Sequence, residues 1–261
     1  MPELPEVELY CRYFTRHALN QRLVEVRVLD ERILGVRKAA LTRALAGHEL
    51  TRVRRHGKHL FADAGGSWLH IHFGMSGDLY SYEDDAEQPR FARVIFVFEN
   101  GDRLAYDDMR LFGVVDVTPD PETFIAEHRL GPDPLDPGFR LAVFKRIVAK
   151  RRGAVKSLLL SQDIIAGMGN LYVDETLYRA SIHPRRAVDT LSDAEVKAVF
   201  TCMRAILKEA ITFKSRGGDY PGRWLTQHRE EGETCPICRG TIQRTVVFGR
   251  TTYFCGRHQK A

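Results

Sequence analysis

The chain has 261 residues, 44% hydrophobic and 28% charged, enough for two domains with sizeable cores. No apolar run approaches the ~20 residues of a membrane helix, and no basic start followed by an apolar stretch marks a secretory signal, so the expected compartment is the cytoplasm. The net charge of +5 is unevenly held: residues 1–139 carry −6 and residues 140–261 carry +11, which makes the second half the candidate for contact with a polyanion.

The chain opens Met1-Pro2-Glu3-Leu4-Pro5-Glu6. A small second residue permits removal of Met1, which leaves Pro2 with a free secondary amine. An α-amino group has a pKa near ~8, so a useful fraction is neutral and nucleophilic at physiological pH. Its attack on a sugar C1′ or an aldehyde gives an iminium, an electron sink that needs no proton. Glu3 and Glu6 beside it can move protons or stabilise positive charge. The same residues also read as a helix start, with proline and acids in the first turn. Taken alone they favour that second reading.

Residues 5–19 predict an amphipathic helix, with Val7, Tyr10, Cys11, Phe14 and Ala18 on one stripe. Strand patterns follow. Val24, Val26 and Val28 alternate with Glu25 and Arg27, and Leu69, Ile71 and Phe73 alternate with His70 and His72. Val94 to Phe98 is apolar on both sides, as in a strand covered on both faces. Glycine-containing turns separate these runs, which predicts an antiparallel sandwich or barrel. Residues 119–137 hold five of the eleven prolines and mark the boundary of a first domain at 118. Beyond a linker at 119–139 the pattern turns helical. Helices are expected around Leu141–Val148, at Leu158-Leu159, over 171–180 with Asn170 as N-cap, and over 192–214. They form a second domain at 140–216, followed by a connecting segment and finger at 217–261.

Cys235-x2-Cys238-x16-Cys255-x2-His258 supplies four soft or borderline ligands in two pairs, the pattern of structural tetrahedral zinc. The residues between read as a hairpin turning at Gly249-Arg250. Such a piece has too little core to fold without metal. Gly167-Met168-Gly169-Asn170 opens a helix, where free N–H groups and the dipole favour a phosphate, although Gly-x-Gly before a helix is often only a turn. In His56-Gly57-Lys58 the lysine is either a surface residue or a source of a proton or phosphate contact. Met75 and Phe112 lie in glycine-bounded turns, where exposed apolar side chains could fill the gap left by an extruded base. Spacing alone favours placing them in the core.

Together these residues resemble the formamidopyrimidine-DNA glycosylase / endonuclease VIII family along essentially the whole chain. The anchors are Pro2 to Glu8, His56-Gly57-Lys58, His72 to Gly77, Arg110 to Gly113, Gly167 to Tyr172 with Asp174-Glu175, Ile182-His183-Pro184, and the terminal finger. The start Pro-Glu-Leu-Pro-Glu is closer to the formamidopyrimidine branch than to endonuclease VIII, which typically starts Pro-Glu-Gly-Pro-Glu. The resemblance implies a multi-domain α+β protein: an N-terminal antiparallel β-sandwich with flanking helices, a helix–two-turn–helix domain and a C-terminal zinc-binding hairpin, with DNA in the cleft. It implies a monomer that acts on double-stranded DNA containing damaged bases or abasic sites, with one structural Zn2+ and no membrane partner.

Roles are implied for the matching positions. Pro2 is the Schiff-base nucleophile, Glu3 the proton donor or relay, and Glu6 its support. Lys58 serves β-elimination, and Arg250 assists δ-elimination. Met75, Arg110 and Phe112 fill the gap, Arg151, Lys156 and Asn170 contact DNA, and Glu175 helps position the N-terminus. Several residues depart from the family pattern. His258 replaces the usual fourth cysteine, Leu111 a second arginine, and Phe91 a DNA-contacting histidine. The stretch from Ser215 to Glu233 is shorter than the usual formamidopyrimidine-type segment, which includes the loop that caps oxidised guanine. Oxidised pyrimidines in an endonuclease VIII-like reaction, catalytically silent binding of damaged DNA, and sequence reading by a zinc-finger regulator are the alternatives.

Overall fold

A computed structural model describes residues 1–260. The chain forms two compact units, one up to Arg129 and one from Leu130 onward. The first begins with helix α1 (Leu4–Ala18), which buries Val7, Cys11, Phe14 and Ala18 of the expected stripe and Leu4 besides, with Tyr10 partly buried. Strands β1 (Leu23–Val28), β2 (Arg52–His56), β3 (His59–Asp63), β4 (Trp68–His72), β5 (Gly77–Tyr82), β6 (Ala92–Phe98), β7 (Arg103–Asp108) and β8 (Val114–Thr118) follow, with helix α2 (Lys38–Leu45) after β1. They make two antiparallel four-stranded sheets, ordered β1-β6-β7-β5 and β2-β3-β4-β8. Leu60, Leu69, Ile71, Val94, Phe96 and Leu104 pack into one core with the stripe of α1. β6 is covered on both faces as its sequence predicts, because Ile95 and Val97 join a second cluster with Tyr82 and Ala105.

Two details depart from the pattern. The valine alternation of β1 is broken by a bulge between Leu23 and Glu25, which leaves Val24 exposed. The proline-rich stretch is also not irregular throughout. Helix α3 (Pro121–Glu127) forms there because Asp120 accepts from the Thr123 amide at 2.8 Å and Pro121 opens the first turn.

The second unit holds helices α4 (Leu141–Val148), α5 (Val155–Leu160), α6 (Asn170–Arg179) and α7 (Asp193–Ser215), then a hairpin of β9 (Ile242–Val247) and β10 (Arg250–Cys255). α6 is its centre: every residue from Tyr172 to Tyr178 is buried, including Asp174 and Glu175. α7 starts at a Ser192/Glu195 capping box. α6 begins one residue earlier than expected. Gly169 is its cap, and Asn170 lies inside the first turn. Among the described residues no helix is long and apolar enough to cross a membrane.

Candidate active site and metal centre

Pro2 is half-buried and immediately precedes Glu3, the N-cap of α1. Glu3 caps that helix and is itself buried; its amide donates to Glu6 Oε2 at 2.9 Å in a capping box, and Pro5 sits in the first turn. The helix-start reading of the opening residues is met: the acids that flank the candidate amine are the ones that start the helix. Farther along α1, Glu8 Oε2 accepts from Arg55 Nε on β2 at 3.0 Å. Arg55 Nη1 donates to the Gly57 carbonyl at 3.1 Å. This chain of bonds ties α1 to the tight β2–β3 turn, where Gly57 adopts φ 55° and Lys58 follows. Lys58 is only 8% exposed, against the habit of lysine. Burial, and then the Lys58 charge, push the nearby His72 imidazole below its ordinary pKa.

Met75 and Phe112 are exposed, at 43% and 57%, so the core placement favoured by spacing is not met. Arg110 is exposed as well, and its guanidinium lies 5.0 Å from the centre of the Phe112 ring. Leu111, the expected departure from the family pattern, takes φ 56° and packs against the sandwich core. Beneath these turns Asp108 is fully buried. It accepts from Ser76 Oγ, from the Arg110 amide at 3.1 Å and from the Gly113 amide at 2.8 Å.

In the second unit Arg151 is exposed in the loop after α4. Lys156 corrects the sequence reading. Its exposure is 0%, and its ammonium donates to Asp174 Oδ1 at 2.6 Å and Thr252 Oγ1 at 2.7 Å. Its side chain has no accessible surface to offer a phosphate. Asp174 Oδ2 also accepts from Arg229 at 2.8 Å, so α5, α6 and β10 share one buried ion cluster. Asn170 Nδ2 donates to the Thr251 carbonyl at 2.8 Å, which ties the start of α6 to the start of β10. Arg250 is exposed there, but it is not a turn residue: it pairs with Val247, and Phe248-Gly249 make the turn with φ 52° and 66°. Glu175 accepts from the Thr226 amide at 3.0 Å, and burial pushes its carboxyl from 4.5 up to about 7.

The ligand atoms of Cys235, Cys238, Cys255 and His258 lie within 4.8 Å of one another, which fits four-coordinate zinc. His258 Nε2 lies 3.0 Å from the Tyr178 carbonyl, leaving Nδ1 on the side of Cys235 Sγ. The Tyr178 hydroxyl lies 3.1 Å from Cys235 Sγ, so α6 braces the finger twice through one residue. Asp108, Arg55, Asp174 and Tyr178 were not singled out for these roles from the sequence. Only Asp108 carried a local signal, an acid opening the turn that bears Arg110 and Phe112.

Three family models match the chain: the formamidopyrimidine-DNA glycosylase N-terminal domain over residues 1–115, its H2TH domain over 130–219, and the zinc finger found in FPG and IleRS over 232–260. The formamidopyrimidine-DNA glycosylase of Listeria innocua is 34% identical, with all of both chains covered. That of Methylococcus capsulatus is 35% identical, again over both full chains. Among solved structures, a complex between the Lactococcus lactis Fpg and an abasic site containing DNA matches with TM-score 0.88 and 27% identity, over 99% of this chain and 100% of the other. A structure of MutM in complex with carbocyclic 8-oxo-G containing DNA matches with TM-score 0.89 and 28% identity over all of both chains.

Proposed function

The chain belongs to the formamidopyrimidine-DNA glycosylase family, and from that premise we propose that it excises oxidised bases from double-stranded DNA and then cuts the strand at the resulting abasic sugar. It acts as a monomer in the cytoplasm. The observation that carries this reading is the N-terminus: Pro2 precedes a helix whose cap is the buried Glu3, and Glu8–Arg55–Gly57 ties that helix to the turn bearing the buried Lys58.

With Met1 removed, the Pro2 nitrogen bonds to C1′ as the bond from C1′ to the damaged base breaks and the base leaves with a proton. Glu3, supported by Glu6, delivers a proton as the sugar ring opens, and C1′ becomes an iminium. The iminium acidifies C2′. Loss of that proton expels the 3′ phosphate, and a second loss at C4′ expels the 5′ phosphate. Lys58 serves the first elimination and Arg250 the second. Water then frees Pro2. Met75, Arg110 and Phe112 fill the space of the extruded nucleotide, and Arg151 and Asn170 hold phosphates. Glu175 secures the segment around Thr226. Zinc, held by Cys235, Cys238, Cys255 and His258, is structural.

Oxidised pyrimidines are the competing substrate class. The observation favouring them is the short stretch from Ser215 to Glu233, which folds back on α6: Tyr220 stacks on Trp224 at 4.9 Å, and its hydroxyl meets that of Tyr172 at 2.6 Å. Borohydride trapping on duplexes with one abasic site, one 8-oxoguanine or one oxidised pyrimidine separates the cases. A covalent adduct mapping to Pro2 and lost in Pro2→Gly is the expected result. An adduct that survives that substitution refutes the nucleophile.

A further inference from the structure

The two turns that carry the exposed Met75, Arg110 and Phe112 are bonded to each other from below. Asp108 closes β7 with no exposed surface. One oxygen takes the Ser76 hydroxyl and the Arg110 amide, and the other takes the Gly113 amide. Ser76 Oγ accepts from the same Arg110 amide at 3.1 Å, so the two turns share a donor. The backbones are in direct contact. Gly74 has φ 55°, and a side chain there would collide with the Phe112 carbonyl and the Gly113 amide. Gly77 and Gly113 both abut the Tyr106 hydroxyl, which donates to the His72 carbonyl at 3.2 Å. The two turns are thus joined by side-chain hydrogen bonds and by backbone contact.

We propose that Asp108 and Ser76 join the two turns into one rigid frame, so that Met75, Arg110 and Phe112 enter a damaged duplex as a single unit. This rests on the gap-filling role given above to those three side chains. Asp108 is then a positioning residue. It touches no DNA, and it fixes three side chains that must reach one small space together. Its bond from the Gly113 amide is buried and those from Ser76 and the Arg110 amide are partly buried, so three directional contacts hold one side chain. Asparagine keeps the shape but turns one acceptor oxygen into an NH2 that faces donors.

The test uses the full chain and a duplex with a tetrahydrofuran abasic analogue opposite 2-aminopurine, whose fluorescence rises when it is unstacked. Met75→Ala and Phe112→Ala are each expected to reduce the bound-state signal, and the double variant to lose little beyond the larger single loss. In an Asp108→Asn background that coupling is expected to vanish, with a fall in the rate of the fluorescence change of the order of 10²-fold. Ser76→Ala, a milder change, should give a smaller fall of the same kind. Trapping on single-stranded abasic DNA, which has no stack to fill, should be unchanged in both. Single alanine variants that leave the signal intact overturn the gap-filling role, and the proposal with it. Single losses that multiply independently, or an equal loss on single- and double-stranded DNA in Asp108→Asn and Ser76→Ala, overturn the rigid frame alone.

Discussion

Burial decides what a charged residue does, and Glu175 and Lys156 show it in opposite directions. Glu175 binds its proton more tightly in the folded chain, with a pKa moved from 4.5 up to about 7 by burial. Folding therefore takes up a proton between those values. The stabilisation is full below the unfolded carboxyl pKa and is lost as pH rises to about 7. Glu175→Gln keeps a neutral side chain at every pH. The melting temperature of that variant relative to the parent should rise from pH 4.5 to 7 and level off above. A flat difference would mean that folding leaves the carboxyl's pKa unmoved. For Lys156, the family resemblance implied a contact with DNA. Its partners Asp174 and Thr252 are 18 and 96 residues away in sequence, so nothing local announced them.

At the scale of elements, the zinc hairpin is the clearest case of an element that its own residues cannot hold. β9 and β10 pair over six residues each, and the small cluster around Cys235, Ile242 and Cys255 leans on Tyr178 and Leu225 from outside the hairpin. Zinc supplies apparent binding energy on the order of 10 kcal/mol in such fingers, more than a two-stranded hairpin can provide. Cys238→Ser should reduce bound zinc from about one per chain to a small fraction, by elemental analysis, and weaken duplex binding at least tenfold. Unchanged zinc content would refute the ligand set. The ligand spacing was legible because a metal site is written in a few residues. The turn was misread by one position: it is Phe248-Gly249, and the backbone angles that place a phenylalanine at positive φ depend on the strand register.

For the whole molecule, the charge division follows the compact units. The unit up to Arg129 carries −4 and the unit from Leu130 carries +9. Binding to undamaged duplex should therefore weaken steeply with salt, with a log–log slope of about −0.9 per phosphate neutralised. Arg151→Ala should make that slope shallower by about one unit of charge, measured by fluorescence anisotropy between 50 and 200 mM salt, roughly the range over which such effects are read. An unchanged slope would remove Arg151 from the contact.

The family, the zinc ligands, the amphipathic first helix and the strand covered on both faces were all readable in the amino-acid sequence, because each is carried by contiguous residues or a short fixed spacing. Tertiary structure decided the rest: that Met75 and Phe112 stand exposed, that Lys156 is enclosed, and that Asp108 and Arg55 anchor turns carrying other residues' chemistry. Those outcomes depend on which distant segments come to lie beside a residue. A side chain's burial and its hydrogen-bond partners are set by the assembled fold, and the local pattern of residues leaves them open.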